Sequence, residues 1–301
     1  MGDSGILWEA LKIEKVNKKS ATHFALCNGE HIRYLISLNG GKKRLSLNIS
    51  TYSKKLGALM KILKYLPLSI LDAGGLGYFV KVEMHPAIEK HFFATKLRAW
   101  NVIVGTYDEK QKIVFQCFDF NKNSDVFIKV GNSATDDEML KEISFLKNNQ
   151  QYTSFDIPKI IGSETRSEQC PFNIQTTKEF KGIKIEPVLT KEIVRIYKEI
   201  SGESRMQHGR MCEFSHGDFA PWNIKKDGNT YIVFDWEHCG MRIQGFDLMH
   251  FATIIEIVVN HRPLENAVDV ALENILKIEP NFSINKQEFL SEFNKLRLEM
   301  R

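Results

Sequence analysis

The sequence contains no C-x-x-C pair, and its five cysteines (Cys27, Cys117, Cys170, Cys212 and Cys239) are odd in number and scattered. That excludes a disulfide framework and points to a reducing compartment. No uninterrupted apolar run approaches the roughly 18 residues that a membrane-spanning helix requires. The opening Met1-Gly2-Asp3-Ser4-Gly5-Ile6 has neither the basic segment nor the long apolar core of a secretory signal. Ile6 also stands where a myristoylation signal needs Ser or Thr. The expected address is therefore the cytoplasm. Internal repeats and low-complexity stretches are absent as well. What remains is an ordinary globular composition, 43% hydrophobic and 26% charged, in 301 residues. That length accommodates two or three packed units.

The net charge of +4 conceals an asymmetry. Residues 1–100 hold 16 Lys and Arg against 7 Asp and Glu, whereas residues 101–301 hold 25 against 30. A basic first third suits phosphate, nucleic acid or an anionic membrane, or is simply a lysine-rich solvated surface. A helix is expected over about Ser53–Tyr65, where Leu56, Leu59, Met60 and Leu63 repeat at helical spacing and Lys54, Lys55, Lys61 and Lys64 flank them. Nucleic-acid surfaces interleave aromatics with basic residues, which this stripe does not, so no nucleic-acid partner is expected. The stripe suits packing on the rest of the chain, or peripheral contact with an anionic membrane or a lipid-linked substrate.

Ahead of that helix, Phe24–Cys27, Ile32–Leu38 and Leu45–Ile49 read as a strand meander, with Asn28-Gly29 and Asn39-Gly40-Gly41 at its turns. A Gly-rich stretch, Ala73–Gly77, and a helix near Pro86–Trp100 follow. Asn101–Gly105, Ile113–Asp119 and Asp125–Val130 read as three strands. Met139, Leu140, Ile143 and Leu146 mark an amphipathic helix from Asp136 to about Asn148. Another strand is expected near Ile174–Phe180. From Thr190 helices dominate, interrupted by strands and loops over Phe214–Trp236. His208, Cys212 and His216 share a four-residue spacing, but His216 opens a motif that demands a loop, which argues against a helical zinc site.

Chemistry concentrates in His216-Gly217-Asp218-Phe219-Ala220-Pro221-Trp222-Asn223 and in Tyr231-Ile232-Val233-Phe234-Asp235-Trp236-Glu237. In-line phosphoryl transfer needs one carboxylate to take the proton of the attacking hydroxyl. It also needs an amide oxygen and a second carboxylate to hold the magnesium that neutralises a triphosphate. Asp218, Asn223 and Asp235 stand in that order. The strand Tyr231–Phe234 would present Asp235 at its end, after a tight turn at Asp227-Gly228-Asn229. Pro221 stiffens the loop, and Trp222 serves either the core or an acceptor ring.

These residues resemble the signature of the aminoglycoside phosphotransferase and choline kinase-like enzymes, which share the protein-kinase fold. The resemblance covers about residues 96–301. It implies ATP and Mg2+ as cofactors, Asp218 as base, and Asn223 and Asp235 as metal ligands. It further implies that Lys129 binds the α- and β-phosphates, that Glu142 orients that lysine, and that His216 and Asp247 support the catalytic loop. Gly105 and Thr106 fall where a phosphate-cradling hairpin would lie, although no G-x-G-x-x-G loop is present. H-R-D, D-F-G and A-P-E are also missing, which sets the chain apart from protein kinases. The pairing of H-G-D-F-A-P-W-N with F-D-W-E is similar to phosphotransferases encoded beside glycan-assembly enzymes, which points to a saccharide or polyol acceptor.

The expected fold is α+β and two-lobed, protein-kinase-like, with a β-rich N-lobe over 96–180 and a mainly helical C-lobe over 181–301. An added N-terminal extension, a β-meander plus helix, would occupy 1–95. The expected activity is transfer of the ATP γ-phosphate to a hydroxyl of a small molecule. The competing readings are an ATP-binding pseudoenzyme or regulatory module, and a membrane- or nucleic-acid-binding protein with an incidental kinase-like part. Acceptor identity, oligomeric state and ATP-versus-GTP preference are open at this level.

Overall fold

The computed structural model of the chain describes residues 6–38, 67–94, 99–105, 110–119, 124–148, 151–178 and 182–299. Contacts divide the chain into two compact units, Met1–Leu140 with Ile160–Glu179, and Lys141–Lys159 with Phe180–Arg301. The expected basic helix over Ser53–Tyr65, the expected strand Leu45–Ile49, and Thr106 lie outside the described residues. None of the described helices is long and apolar enough to cross a membrane.

The first unit is built on one antiparallel sheet. Its strands are β1 (Leu11–Lys15), β2 (His23–Asn28), β3 (His31–Ser37), β4 (Gly77–Met84), β5 (Ala99–Val104), β6 (Ile113–Asp119) and β7 (Ser124–Gly131). After β8 (Phe155–Asp156), which belongs to the second unit, β9 (Ile160–Glu164) and β10 (Asn173–Lys178) complete it. The order is β1-β4-β2-β3-β5-β6-β7-β10-β9. The β2–β3 hairpin closes with Asn28 opposite His31, so its two-residue turn is Gly29-Glu30, with Gly29 at φ +62, one residue on from the expected Asn28-Gly29. Strands on both sides of residue 95 belong to this one sheet, because β3 pairs with β5 through Tyr34–Ile103 and Leu35–Val102. Alternation puts Ala25, Leu35, Val80, Val102, Phe115, Ile128 and Ile174 in a shared core. The helices Ile6–Ala10 and Pro86–Ala94 cap that core with Ile6, Leu7, Ile88 and Phe92. The helix near Pro86 is shorter than expected, since Trp100 belongs to β5. On a second cluster, Phe24, Ile36 and Phe79 pack with Leu68 and Leu71 of the Leu68–Ala73 helix.

The division between the units falls within the Asp136–Asn148 helix, whose ends match the sequence expectation. The second unit combines helices Lys191–Ser201, Phe246–Val258, Leu264–Leu276 and Lys286–Glu299 with two small sheets. One sheet runs β11 (Ile183–Lys184), β14 (Ile224–Asp227), β15 (Thr230–Val233), β8. The other runs β12 (Arg205–Gln207), β13 (Arg210–Ser215), β16 (Gly240–Ile243). Helix Phe246–Val258 is buried along most of its length, and Trp236 is fully buried with Phe145 stacked on it at 4.2 Å. The chain is thus an α+β protein with a strand-rich first unit and a second unit dominated by helices.

Candidate active site

The site grows from the end of β13, where the chain leaves the sheet at Ser215 and turns through His216-Gly217-Asp218. Gly217 has φ +89, and a Cβ there would meet the His238 carbonyl oxygen at 2.1 Å, so the turn admits only glycine. Asp247, 1% exposed on the first turn of the Phe246–Val258 helix, holds this turn from behind. Its Oδ1 accepts the Ser215 hydroxyl at 2.6 Å and the Gly217 N–H at 3.1 Å, and its Oδ2 accepts the His216 N–H at 2.6 Å. The helix start is itself anchored. The Gly245 N–H donates to Glu213 Oε1 at 2.9 Å, and so does the Tyr197 hydroxyl at 2.9 Å.

His216 is fully buried, and its ring bridges two backbones. Nδ1 accepts the Asp218 N–H at 3.2 Å, which leaves Nε2–H to donate to the Phe234 carbonyl at 3.1 Å. Burial lowers its pKa, against the charge of Asp247, so the ring works as a neutral strut. His216 therefore ties the loop carrying Asp218 to the strand end that precedes Asp235.

Asp218 is buried, and its two carboxylate oxygens face different neighbours. Asn223 Nδ2 donates to Oδ2 at 2.8 Å and to the Asp218 carbonyl at 2.9 Å. Asn223 ends the short Pro221–Asn223 helical turn, and its own carbonyl accepts the Phe234 N–H at 3.0 Å. Because the amide nitrogen faces Asp218, the amide oxygen is directed away from it. Oδ1 of Asp218 stands 3.6 Å from Nε2 of His250, a buried residue one turn beyond Asp247. Nδ1 of His250 pairs with the Phe219 carbonyl at 3.0 Å, which makes that nitrogen the N–H and leaves Nε2 as an acceptor. Burial lowers the His250 pKa to about 4, so this contact is not an ion pair at neutral pH. The Asp218 pKa is raised well above the usual carboxylate value, first by burial and then by the charge of Asp235, against the Asn223 hydrogen bond.

Asp235 follows β15 with a left-handed backbone, φ 72, which Asp tolerates better than most residues. Oxygens of Asp235, Glu142 and Glu237 lie within 4.8 Å of one another, and Glu142 Oε1 accepts the Trp236 N–H at 3.3 Å. This all-oxygen set, with the Asn223 amide, is the donor chemistry that a hard divalent cation such as magnesium takes. Among the described residues it is the one such acidic, Cys or His group. His208, Cys212 and His216 form no cluster: His208 sits in a turn with φ 48 and Cys212 lies in β13.

The second unit thus brings His216, Asp218, Asn223, Asp235, Asp247 and Glu142 together. Lys129 lies in β7 of the first unit, opposite Val114 and Gln175. Gly105, also in the first unit, closes the β5–β6 hairpin, its N–H on the Lys112 carbonyl at 3.0 Å and its carbonyl accepting Arg33 Nη1 at 3.1 Å. Sequence reasoning missed His250 and assigned no role to Glu237. Glu237 lies two residues past Asp235 and was open to notice. His250 has no local signal beyond its place one helical turn after Asp247.

A scan of protein-family models finds no match, and neither does a search of curated proteins. Among solved structures the chain is similar to amicoumacin kinase in complex with AMP-PNP and Ca2+, at 14% identity over 65% of this chain and 80% of that one, TM-score 0.41. It is similar to a microcompartment-associated aminopropanol kinase at 12% identity, over 71% and 86%, TM-score 0.41. It is also similar to spectinomycin phosphotransferase in complex with ADP, at 10% identity over 70% and 84%, TM-score 0.46.

Proposed function

We propose that the chain is an ATP- and magnesium-dependent phosphotransferase that acts on a hydroxyl of a small molecule, a saccharide or polyol. The observation that carries this reading is the buried Asp218–Asn223 pair beside Asp235. One carboxylate is held by an amide nitrogen, and a second carboxylate, Asp235, stands with Glu142 and Glu237 in an acidic group that suits a cation. When bound, magnesium supplies charge neutralisation to the phosphates.

In this reading Asp218 accepts the proton of the acceptor hydroxyl. Burial and the neighbouring Asp235 raise its affinity for a proton, which suits a group that must take one. Asn223 fixes its orientation through Oδ2, so Oδ1 is the oxygen that receives the proton. Nε2 of His250 lies beyond hydrogen-bond range at 3.6 Å while Oδ1 is bare, and a proton on Oδ1 gives it a donor to accept. Asp247 and His216 keep the loop from shifting during this exchange. Asn223 and Asp235, with Glu142 and Glu237 nearby, would hold the cation. Lys129 is proposed to bind nucleotide phosphate, and Gly105 and Thr106 to flank it. No part of the reading requires a membrane or nucleic acid.

The test is ADP release with and without magnesium across sugars, polyols, choline and aminoglycosides. Magnesium-dependent release that rises with one hydroxylated acceptor is expected. Tight magnesium–ATP binding with transfer to none of them would favour a nucleotide-binding regulatory module instead.

A further inference from the structure

In the second unit, Arg242 is a cation whose hydrogen-bond donors are left almost unused. It lies in β16, half-buried and directly opposite Glu213 of β13. Oε1 of Glu213 is committed to the Tyr197 hydroxyl and the Gly245 N–H, and no carboxylate pairs with the guanidinium among the described residues. The one hydrogen bond of Arg242 runs from Nη2 to the His238 carbonyl at a long 3.4 Å. Nε is buried without a partner, while Nη1 is not closed off from solvent. The guanidinium carbon stands 4.9 Å from the centroid of the Phe246 ring, a contact that engages the charge and none of the N–H groups. A charged group withdrawn from water with its donors idle costs stability. Local rules are broken in this way where function demands it.

Two separate contacts lead from this cation to the proposed base. The His238 carbonyl that Nη2 reaches lies against Gly217, where an added Cβ would meet it at 2.1 Å, and Asp218 is the next residue. The Phe246 ring stacks on the His250 ring at 5.8 Å, and Nε2 of His250 faces Oδ1 of Asp218 at 3.6 Å. Asp235, Glu237 and Asp247 all bring negative charge to bear on Asp218. A neutral acceptor has no need of a guanidinium in such surroundings. An anionic acceptor is repelled by the carboxylates unless a cation meets it.

We propose that Arg242 recognises an acid group on the acceptor, so that the second substrate is a sugar acid, a saccharide or polyol that carries a carboxylate besides its hydroxyls. A guanidinium presents its N–H groups as a planar fork that matches a carboxylate. One guanidinium balances one charge, which favours a carboxylate over a phosphate monoester of about −2. This assignment rests on Asp218 being the base, since the base defines the acceptor side.

Calorimetry in saturating magnesium–AMP-PNP tests it with matched probes, gluconate against glucitol and glucuronate against glucose. The proteins are the wild type, Arg242→Met and Arg242→Lys, each checked for folding by its thermal melt. Met keeps an apolar stem for Phe246, and Lys keeps the charge without the fork. The wild type is expected to bind at least one acid about tenfold or more tightly than its neutral partner, as for a charged hydrogen-bonded pair. That ratio should fall close to unity in Arg242→Met and be restored in part in Arg242→Lys. If Arg242→Met fails to fold, the wild-type ratio and its reduction in Arg242→Lys decide. Equal affinities within both pairs, or no binding of either acid, overturn the proposal. A preference that survives in Arg242→Met, or tighter binding of glucose 6-phosphate than of glucuronate, does the same. Loss of the acid preference with magnesium-dependent ADP release intact strikes this assignment alone. Absence of ADP release with every acceptor, acidic or neutral, strikes the phosphotransferase reading and this assignment with it.

Discussion

Replacing Glu213 by Gln should stabilise the protein above neutral pH and change it little in acid. Glu213 is 2% exposed, and its Oε1 accepts the Tyr197 hydroxyl and the Gly245 N–H, each at 2.9 Å. Burial raises its pKa from the ordinary 4.5 to about 7; Asp247 adds to the shift, and the two hydrogen bonds oppose it. A folded-state pKa above the unfolded one means that the native state binds more protons between these values. Stability is therefore present below pH 4.5, falls as pH rises through the window, and stays low above about 7. That gap corresponds to about 3 kcal/mol as an upper bound. Gln retains an acceptor oxygen for both donors and cannot ionise, so most of the loss should be recovered at pH 8. In a protein of this size that is on the order of 5–10 °C in melting temperature. Thermal melts of both proteins at pH 5 and pH 8 provide the assay. A gap between variant and wild type that is the same at both pH values, or larger in acid, would refute the reasoning.

Asp247→Ala should cost about 3–5 kcal/mol, because the Ser215 hydroxyl and the His216 and Gly217 N–H groups lose their buried acceptor. Chemical denaturation measures it, and a loss below about 1 kcal/mol would remove Asp247 from the support of the loop. His250→Phe should lower turnover about tenfold with magnesium–ATP affinity intact; unchanged turnover would leave His250 a packing residue. Asp235→Ala should weaken magnesium–ATP binding and raise the magnesium requirement, with Asn223→Ala acting more mildly in the same direction. Calorimetry showing unchanged affinity in both variants would rule out the metal assignment.

Local order was legible in the sequence wherever neighbours in the chain are neighbours in space. The helix Asp136–Asn148 and strands β6 and β7 follow apolar periodicity that needs no distant partner. The Asp218–Asn223 contact spans five residues, so spacing alone points to it. Long-range pairing was not legible. β4 enters the sheet between β1 and β2, and its Gly-rich approach masks the strand that follows. The strands Phe24–Cys27 and Ile32–Leu38 were expected to belong to a separate extension over residues 1–95, yet β3 and β5 share a ladder that no local pattern announces. The same limit hid Glu142 beside Asp235 and Glu237, and Arg242 opposite Glu213. Each depends on register between segments dozens of residues apart. His250 reaches Asp218 across 32 residues, through a helix whose apolar character marks only burial.

Transfer of labelled γ-phosphate by the wild-type chain and by Asp218→Asn, with magnesium–ATP affinity measured on both, tests the central claim most directly. The account predicts magnesium-dependent labelling of a hydroxylated acceptor by the wild type. It predicts a loss of about 100-fold or more in the variant, with nucleotide affinity nearly unchanged. Near-normal transfer by Asp218→Asn would contradict it.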